Sequence, residues 1–175
     1  RFEARAHAEG FSGLRVMSAD GRGGLRSVRP DEPLAVIRFV EPLAQNRLAP
    51  GINSRANPMA AAAIERALAG HGVSATSSFP LLLPAAFGAP ESGVVLYRAV
   101  SASRAPASDD AKARGLVFAT IRVSQMWQAV LASRPAGVVL CLFEPRGSDS
   151  VVLAAEPGCP TRLPMYPAVS ELPPD

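Results

Sequence analysis

The spacing of hydrophobic and polar positions changes from a helical to a strand-like period shortly after residue 70. An alanine-rich helix is predicted over 57–70, because Asn57 can accept hydrogen bonds from the first free helix amides and Pro58 suits the first turn. Glycine at Gly70 or Gly72 ends this helix. Strand-like runs bounded by Gly, Pro or Ser follow at 74–79, 93–100 and 115–123. One helix followed by three such runs favours an antiparallel sheet.

Two further strand-like runs precede this helix, at 13–17 and 33–40. The order of two strands, a helix and three strands predicts an α+β fold. This order resembles a PAS-like fold, in which an antiparallel sheet is flanked by helices. We therefore expect one sheet-based lobe over 1–123.

A second helix is predicted over 124–134, where Ser124 can serve as the N-cap and Pro135 and Gly137 end the periodic pattern. Its apolar residues Met126, Trp127, Val130 and Leu131 recur at helical spacing. Two more strand-like runs follow at 137–143 and 150–155. The sequence thus predicts a connecting helix over 124–134 and a second, incomplete lobe over 135–175.

Length and charge narrow the functional classes. The chain has 175 residues and is 48% hydrophobic, which is enough for one good core or two small ones. Its net charge of +3 comes from arginines that are scattered through every segment. A nucleic-acid interface needs a basic patch or stripe, so we expect no nucleic-acid partner.

Catalytic and metal-binding patterns are not evident in the sequence. The two histidines, His7 and His71, have no second histidine or cysteine at ligand spacing. Ser12 lies in a Gly-Phe-Ser-Gly segment that is one residue short of a nucleophile elbow. We expect no catalytic residues, no metal and no cofactor, and hence a protein that is not an enzyme.

The two cysteines leave two alternatives open. Cys141 lies in an apolar run and is most simply a small core residue, whereas Cys159 lies in a loop rich in proline and glycine. A disulfide between them is the alternative outside the cytoplasm, but a single pair is no disulfide framework.

Five segments, taken in order, resemble the CHASE domain family. They are 37–42 with Asn46, 50–53, the helix at 57–70, 93–97 and 114–118. The resemblance runs from about residue 1 to residue 157. It implies the extracytoplasmic, periplasmic sensor part of a membrane-bound histidine kinase or diguanylate cyclase, a group that includes the plant cytokinin receptors. It also implies that 1–123 is the membrane-distal PAS-like sensing lobe and that 135–175 is part of a membrane-proximal, incomplete PAS-like lobe.

The same resemblance implies that much of the receptor lies outside this chain. The sequence begins at Arg1 as though within a helix, and no apolar stretch approaches the roughly 20 residues that cross a bilayer. We therefore expect a fragment, with the membrane segments and the catalytic output domain elsewhere in the protein. The full-length protein is expected to be a membrane-anchored homodimer.

A sensor pocket needs an apolar wall and a few convergent polar groups. In the cytokinin-receptor branch, an acidic residue at the position of Glu41 and a threonine at the position of Ser77, or its neighbour Thr76, contact an adenine-type ligand. Glutamate in place of aspartate and serine in place of threonine alter the shape of the pocket, so cytokinin recognition itself is not carried over. The expected ligand is a small organic molecule, either a cytokinin-like adenine derivative or another compound. The full set of predicted ligand-binding residues is Phe39, Glu41, Thr76, Ser77, Phe79, Tyr97, Phe118 and Thr120.

Strand parity refines this prediction. Successive residues of a strand face opposite sides, so Phe39 should share a face with Glu41, and Ser77 with Phe79. Tyr97 and Leu96 should face opposite sides, and Tyr97 is favoured for the pocket. The alternatives are that Glu41 is an exposed strand end and that Ser77 is an ordinary sheet hydroxyl. For the whole domain, the alternative is a ligandless module that sets dimer geometry or docks a periplasmic protein.

Overall fold

The computed structural model describes residues 2–22, 24–70, 72–81, 91–101 and 113–162. The chain divides into two compact units, an N-terminal unit (Arg1–Ile121) and a C-terminal unit (Arg122–Asp175). Three α-helices and several antiparallel strand pairs are present in these described ranges, so the α+β prediction is confirmed.

The N-terminal unit contains two sheets and two α-helices among its described residues. Two short 3-10 helices, Leu43–Gln45 and Ser54–Ala56, lie between the two α-helices in sequence. In chain order the regular elements are α1 (Phe2–Ala8), β1 (Met17–Ala19), β2 (Leu25–Ser27), β3 (Ile52–Asn53), α2 (Pro58–Leu68), β4 (Val73–Ala75), β5 (Phe79–Pro80), β6 (Ser92–Ser101) and β7 (Ala113–Arg122).

The first sheet has the order β2-β1-β3. β1 and β2 form an antiparallel hairpin, and the Asp20 carboxylate closes its turn by accepting from the amides of Arg22 (2.7 Å) and Gly24 (2.9 Å). β1 pairs with β3 in parallel. The strand predicted at 13–17 is wrong except at Met17, because Leu14 and Val16 are buried against Ala6 of α1 instead of joining the sheet.

The strand predicted at 33–40 is also wrong. It is reduced to one antiparallel bridge, between Val36 and Asn53. Separate backbone hydrogen bonds still join this segment to residues 51–54, from the Ile37 amide to the Ile52 carbonyl and from the Ser54 amide to the Ala35 carbonyl, both at 2.9 Å. The Ala35 amide donates instead to Asn53 Oδ1 at 2.9 Å, so at this position a side chain takes the place of a backbone acceptor.

The second sheet is antiparallel, with β6 paired to β4, β5 and β7. The strands predicted at 93–100 and 115–123 are confirmed as β6 and β7. The run predicted at 74–79 is split into β4 and β5. At the break the Thr76 amide donates to the Val95 carbonyl, and the Thr76 hydroxyl accepts from the Val95 amide, both at 2.9 Å.

Helix α2 packs on this second sheet and confirms the helix predicted over 57–70. The Asn57 side chain accepts from the Met59 amide at 2.9 Å, Pro58 is the first helical residue, and Gly70 follows the C-cap with φ 86°. Such left-handed backbone favours glycine. The buried residues of α2 recur at helical spacing and contact two side chains of β6. The cluster consists of Ala60, Ala63, Ile64, Ala67, Val95 and Tyr97.

The C-terminal unit contains α3 (Val123–Ala132) and a hairpin of β8 (Cys141–Arg146) and β9 (Asp149–Ala155). The predicted N-cap at Ser124 is wrong, because the helix begins at Val123 and the N-cap position is Arg122. The second helix is otherwise confirmed. The strand predicted at 150–155 is confirmed as β9, whereas the strand predicted at 137–143 is correct only over 141–143. Cys141 is not a free core residue: it forms a disulfide with Cys159, with the Cα atoms 5.8 Å apart.

Candidate functional site

The α2-facing side of the second sheet gathers four of the eight predicted site residues. Tyr97 is 5% exposed, and its ring centroid lies 6.3 Å from that of Phe118 on β7. Phe79 and Phe118 are half-buried and pack against the cluster beneath α2. Burial raises the pKa of the Tyr97 hydroxyl, and its hydrogen bond with Ser54 partly opposes this shift.

Buried hydroxyl groups line the break between β4 and β5. Ser74, Thr76 and Ser78 are 6%, 6% and 7% exposed. The Arg66 side chain spans this edge by donating to the Ser74 hydroxyl (3.0 Å) and the Ala75 carbonyl (2.7 Å). Thr76 is paired with Val95, whose side chain lies in the cluster under α2. Polar and aromatic groups therefore meet along β6, in the packed cluster beneath α2.

The other four predicted site residues lie outside this group. Ser77 and Thr120 are exposed, and the irregular backbone of the strand break removes the predicted shared face of Ser77 and Phe79. Glu41 is exposed, and Phe39 is 63% exposed. Their predicted common face depended on a strand at 33–40 that does not form. Phe39 instead packs edge-on against Phe11, with ring centroids 5.7 Å apart.

A second feature, which the sequence did not indicate, is a pocket of about 500 Å³ near the C-terminal end of α1. One wall is the loop that leads from α1 into β1, and the other comes from residues 47–50. Gly51 brings the walls together: it has φ 92°, and a Cβ atom there would lie 2.2 Å from the Arg15 carbonyl oxygen. The Pro-Gly pair at 50–51 is a sequence signal for a turn. The sequence contains no signal for which loop would pack against that turn.

A buried polar network supports the first sheet beside this pocket. Asn53 is 1% exposed and donates to the Ser18 hydroxyl and the Pro33 carbonyl, both at 3.2 Å. Glu32 accepts from Ser18 at 2.7 Å and pairs with both terminal nitrogens of Arg26, at 2.8 and 3.0 Å. These hydrogen bonds, from Arg26 first and Ser18 second, lower the pKa of Glu32 to about 2.

The described ranges contain no cluster of three or more histidine, cysteine or acidic side chains that could hold a metal ion. None of the helices in the same ranges combines the length and apolarity that crossing a bilayer requires.

A match to a protein-family model shows the family of the chain. The model of the CHASE domain family matches residues 1–153, which is most of the 175-residue sequence. The chain belongs to the CHASE domain family. The predicted resemblance is therefore confirmed. No curated protein matches the chain.

The CHASE assignment gives the domain a general role. CHASE domains are extracytoplasmic, non-catalytic sensor modules of receptors, and they bind small-molecule ligands. A disulfide between Cys141 and Cys159 agrees with an extracytoplasmic location, because such bonds persist in oxidising compartments.

Proposed function

We propose that this CHASE domain senses a small organic molecule on the α2-facing side of the second sheet, within a membrane-anchored, homodimeric receptor of the periplasm. The observation that carries the proposal is the convergence of Thr76, Phe79, Tyr97 and Phe118 along β6. We further propose that the N-terminal unit is the PAS-like membrane-distal lobe. In this proposal α3 is the connecting helix, and 135–175 is part of the second PAS-like lobe.

The chemistry of the four residues favours a flat ligand with a polar edge. Aromatic rings offer stacking surfaces, and a buried hydroxyl offers a hydrogen bond that fixes orientation. An adenine derivative has both features, as do other heteroaromatic molecules. Glu41, Ser77, Thr120 and Phe39 stay predicted contacts, and their exposed positions require a rearrangement of the chain around the ligand.

A thermal-shift screen of the 175-residue chain tests the proposal, using adenine derivatives, amino acids and organic acids. A ligand at about 100 times its dissociation constant adds about 2.7 kcal/mol to the stability of the folded state. Phe118→Ala should remove the shift. Val117→Ala is the matched control, because Val117 is the next residue of β7 and is 61% exposed. If no compound shifts the melting temperature, or if Phe118→Ala leaves intact the shift caused by every compound that binds, the proposal fails.

Signalling would follow from a ligand-dependent shift between two packings of the N-terminal unit. A ligand moves such an equilibrium only as far as its affinities for the two states differ. In the proposal, α3 carries the change toward the output domain, a histidine kinase or diguanylate cyclase. Trp127→Ala in the full-length receptor should weaken the response to ligand without abolishing binding, and an unchanged response would contradict this route.

A ligandless dimerisation or protein-docking module is the second candidate. The outer face of the second sheet favours it, because Val73 and Val117 are 58% and 61% exposed. Exposed apolar patches of this kind mark interaction surfaces. Sedimentation of the chain and of a Val73→Ser/Val117→Ser variant tests this function, which predicts dimers that the double variant loses.

A further inference from the structure

The pocket beside α1 has a lining that the proposed ligand site does not share. Two of the described residues that line it are arginines, Arg15 and Arg47, and none is acidic. Neither arginine side chain has a hydrogen bond or an ion pair with any residue in the described ranges. The remaining wall is largely apolar and includes Phe11, Leu14, Met17, Leu48 and Pro50.

We propose that this pocket is a second binding site, specific for an organic carboxylate with an apolar body. Arginine guanidinium groups recognise carboxylates through paired, charge-assisted hydrogen bonds. The apolar wall would cover part of the rest of the molecule, in a hollow of about 500 Å³ that is open to solvent. Leu48 is 65% exposed and Phe11 37% exposed, so a ligand would remove apolar surface from water at both.

The two walls are held in a fixed relation by the backbone. The Met17 amide donates to the Gly51 carbonyl at 3.0 Å, and the close approach of Gly51 to Arg15 leaves no room for a side chain. Phe11 is supported from behind by Phe39, over which the Arg38 guanidinium lies 4.9 Å from the ring centroid. The backbone of the site and Phe11 are thus organised before a ligand binds, and ligand binding has to order mainly the exposed side chains of Arg15 and Arg47.

The pocket is also connected to α1. The Phe11 amide donates to the Ala6 carbonyl at 2.9 Å, and the Glu3 carboxylate accepts from the Val16 amide at 2.7 Å. His7 Nε2 lies 2.9 Å from the Leu14 carbonyl oxygen. The lining loop is therefore attached to α1 at both of its ends. A bound carboxylate should restrain this loop and slow hydrogen exchange at the Val16 amide.

Calorimetric titration of the 175-residue chain with phenylbutyrate, neutral phenylbutyramide and inorganic phosphate tests the site. Phenylbutyrate should bind at least about 10-fold more tightly than either other probe, since the amide lacks the charge and phosphate lacks the apolar body. Arg15→Gln and Arg47→Gln should each weaken phenylbutyrate binding by about 10-fold. Arg114→Gln is the matched control: it removes the same charge from β7, and Arg114 does not line the pocket.

The possible results separate this site from the proposed sensor site. Phe118→Ala should leave phenylbutyrate binding unchanged, even though it removes binding at the second sheet. The inference is overturned if phenylbutyrate does not bind, or if phenylbutyramide or phosphate binds equally well. It is also overturned if Phe118→Ala, rather than the two arginine substitutions, weakens binding. Slower exchange at Val16 on adding phenylbutyrate would support the location independently.

Discussion

The N-terminal and C-terminal units are stabilised in different ways. In the described part of the N-terminal unit, Ile64, Ser18 and Asn53 are almost completely buried, in an apolar cluster and in a polar network. In the described part of the C-terminal unit only Val123 is buried, and Val139 is 53% exposed. That unit depends on a hairpin and a disulfide. Short chain segments bury too little surface to be stable without such a cross-link.

This difference can be measured within one molecule. The only tryptophan of the chain, Trp127, lies on α3 in the C-terminal unit, so its fluorescence reports on that unit. Far-ultraviolet circular dichroism reports on both units. Perturbing the apolar cluster and perturbing the disulfide should therefore give different signals.

The largest effect is expected from emptying the apolar cluster. Ile64→Ala should lower the free energy of unfolding by about 3 to 4 kcal/mol, because a fully buried side chain leaves a cavity. Urea unfolding followed by circular dichroism measures this. Leu68→Ala on the same helix is the control: Leu68 is 39% exposed, and its removal should cost less than about 1 kcal/mol. Equal losses would mean that the N-terminal unit does not depend on this cluster.

Removal of the disulfide should affect the C-terminal unit. The bond spans 18 positions, and closing a loop of this size stabilises a fold by about 3 kcal/mol. The Cys141→Ser/Cys159→Ser variant should unfold at lower urea by Trp127 fluorescence, and adding a reductant should have no further effect on it. An unchanged fluorescence midpoint would show that the hairpin is stable without the bond.

The Glu32 network should make the N-terminal unit sensitive to acid. In the folded state the pKa of Glu32 is lowered from 4.5 to about 2. The ionised carboxylate therefore stabilises the fold above pH 4.5, and this stabilisation is lost as the pH falls toward 2. Thermal unfolding between about pH 5 and about pH 2.5 should therefore show a wild-type advantage over Glu32→Gln that shrinks with acidity. Asp31→Asn, at the exposed neighbouring position, is the control. A constant advantage would exclude Glu32 as the titrating group.

The smallest effect should come from the cap of α2. Asn57→Ala removes the hydrogen bond to the Met59 amide and should cost about 1 kcal/mol. Asn57→Asp should restore most of this stability, since aspartate also caps helices well. Circular dichroism during urea unfolding measures both variants, and failure of the aspartate to restore stability would argue against a capping role.

Local signals explain why α2, β6 and β7 were predicted correctly. The cap, the proline and the terminal glycine of α2 lie within the helix segment itself. The period of two along β6 correctly separated Tyr97, which faces the cluster, from Leu96, which faces the other side. Such features depend on neighbouring residues and can be read without a fold.

Contacts distant in sequence explain the failures. Within the predicted 33–40 strand, the Ala35 amide bonds to the Asn53 side chain, which is 18 positions away. The predicted joint face of Phe39 and Glu41 failed with that strand. The arginine-lined pocket forms between two loops that meet at Gly51. The sequence of each loop contains no signal that predicts its contact with the other. The spacing of the two cysteines likewise carries no information about pairing, so the sequence could not decide between a disulfide and a free Cys141.

The parallel pairing of β1 with β3 has a consequence for how the domain folds. Ser18 and Asn53 are partners in that pairing and stand 35 positions apart. The intervening chain must close before they can meet, and this entropic cost increases with the length of the closed segment. Assembly that depends on such distant partners is slow. The arginine-lined hollow should therefore be among the last parts of the newly exported polypeptide to mature, after α2 has already formed.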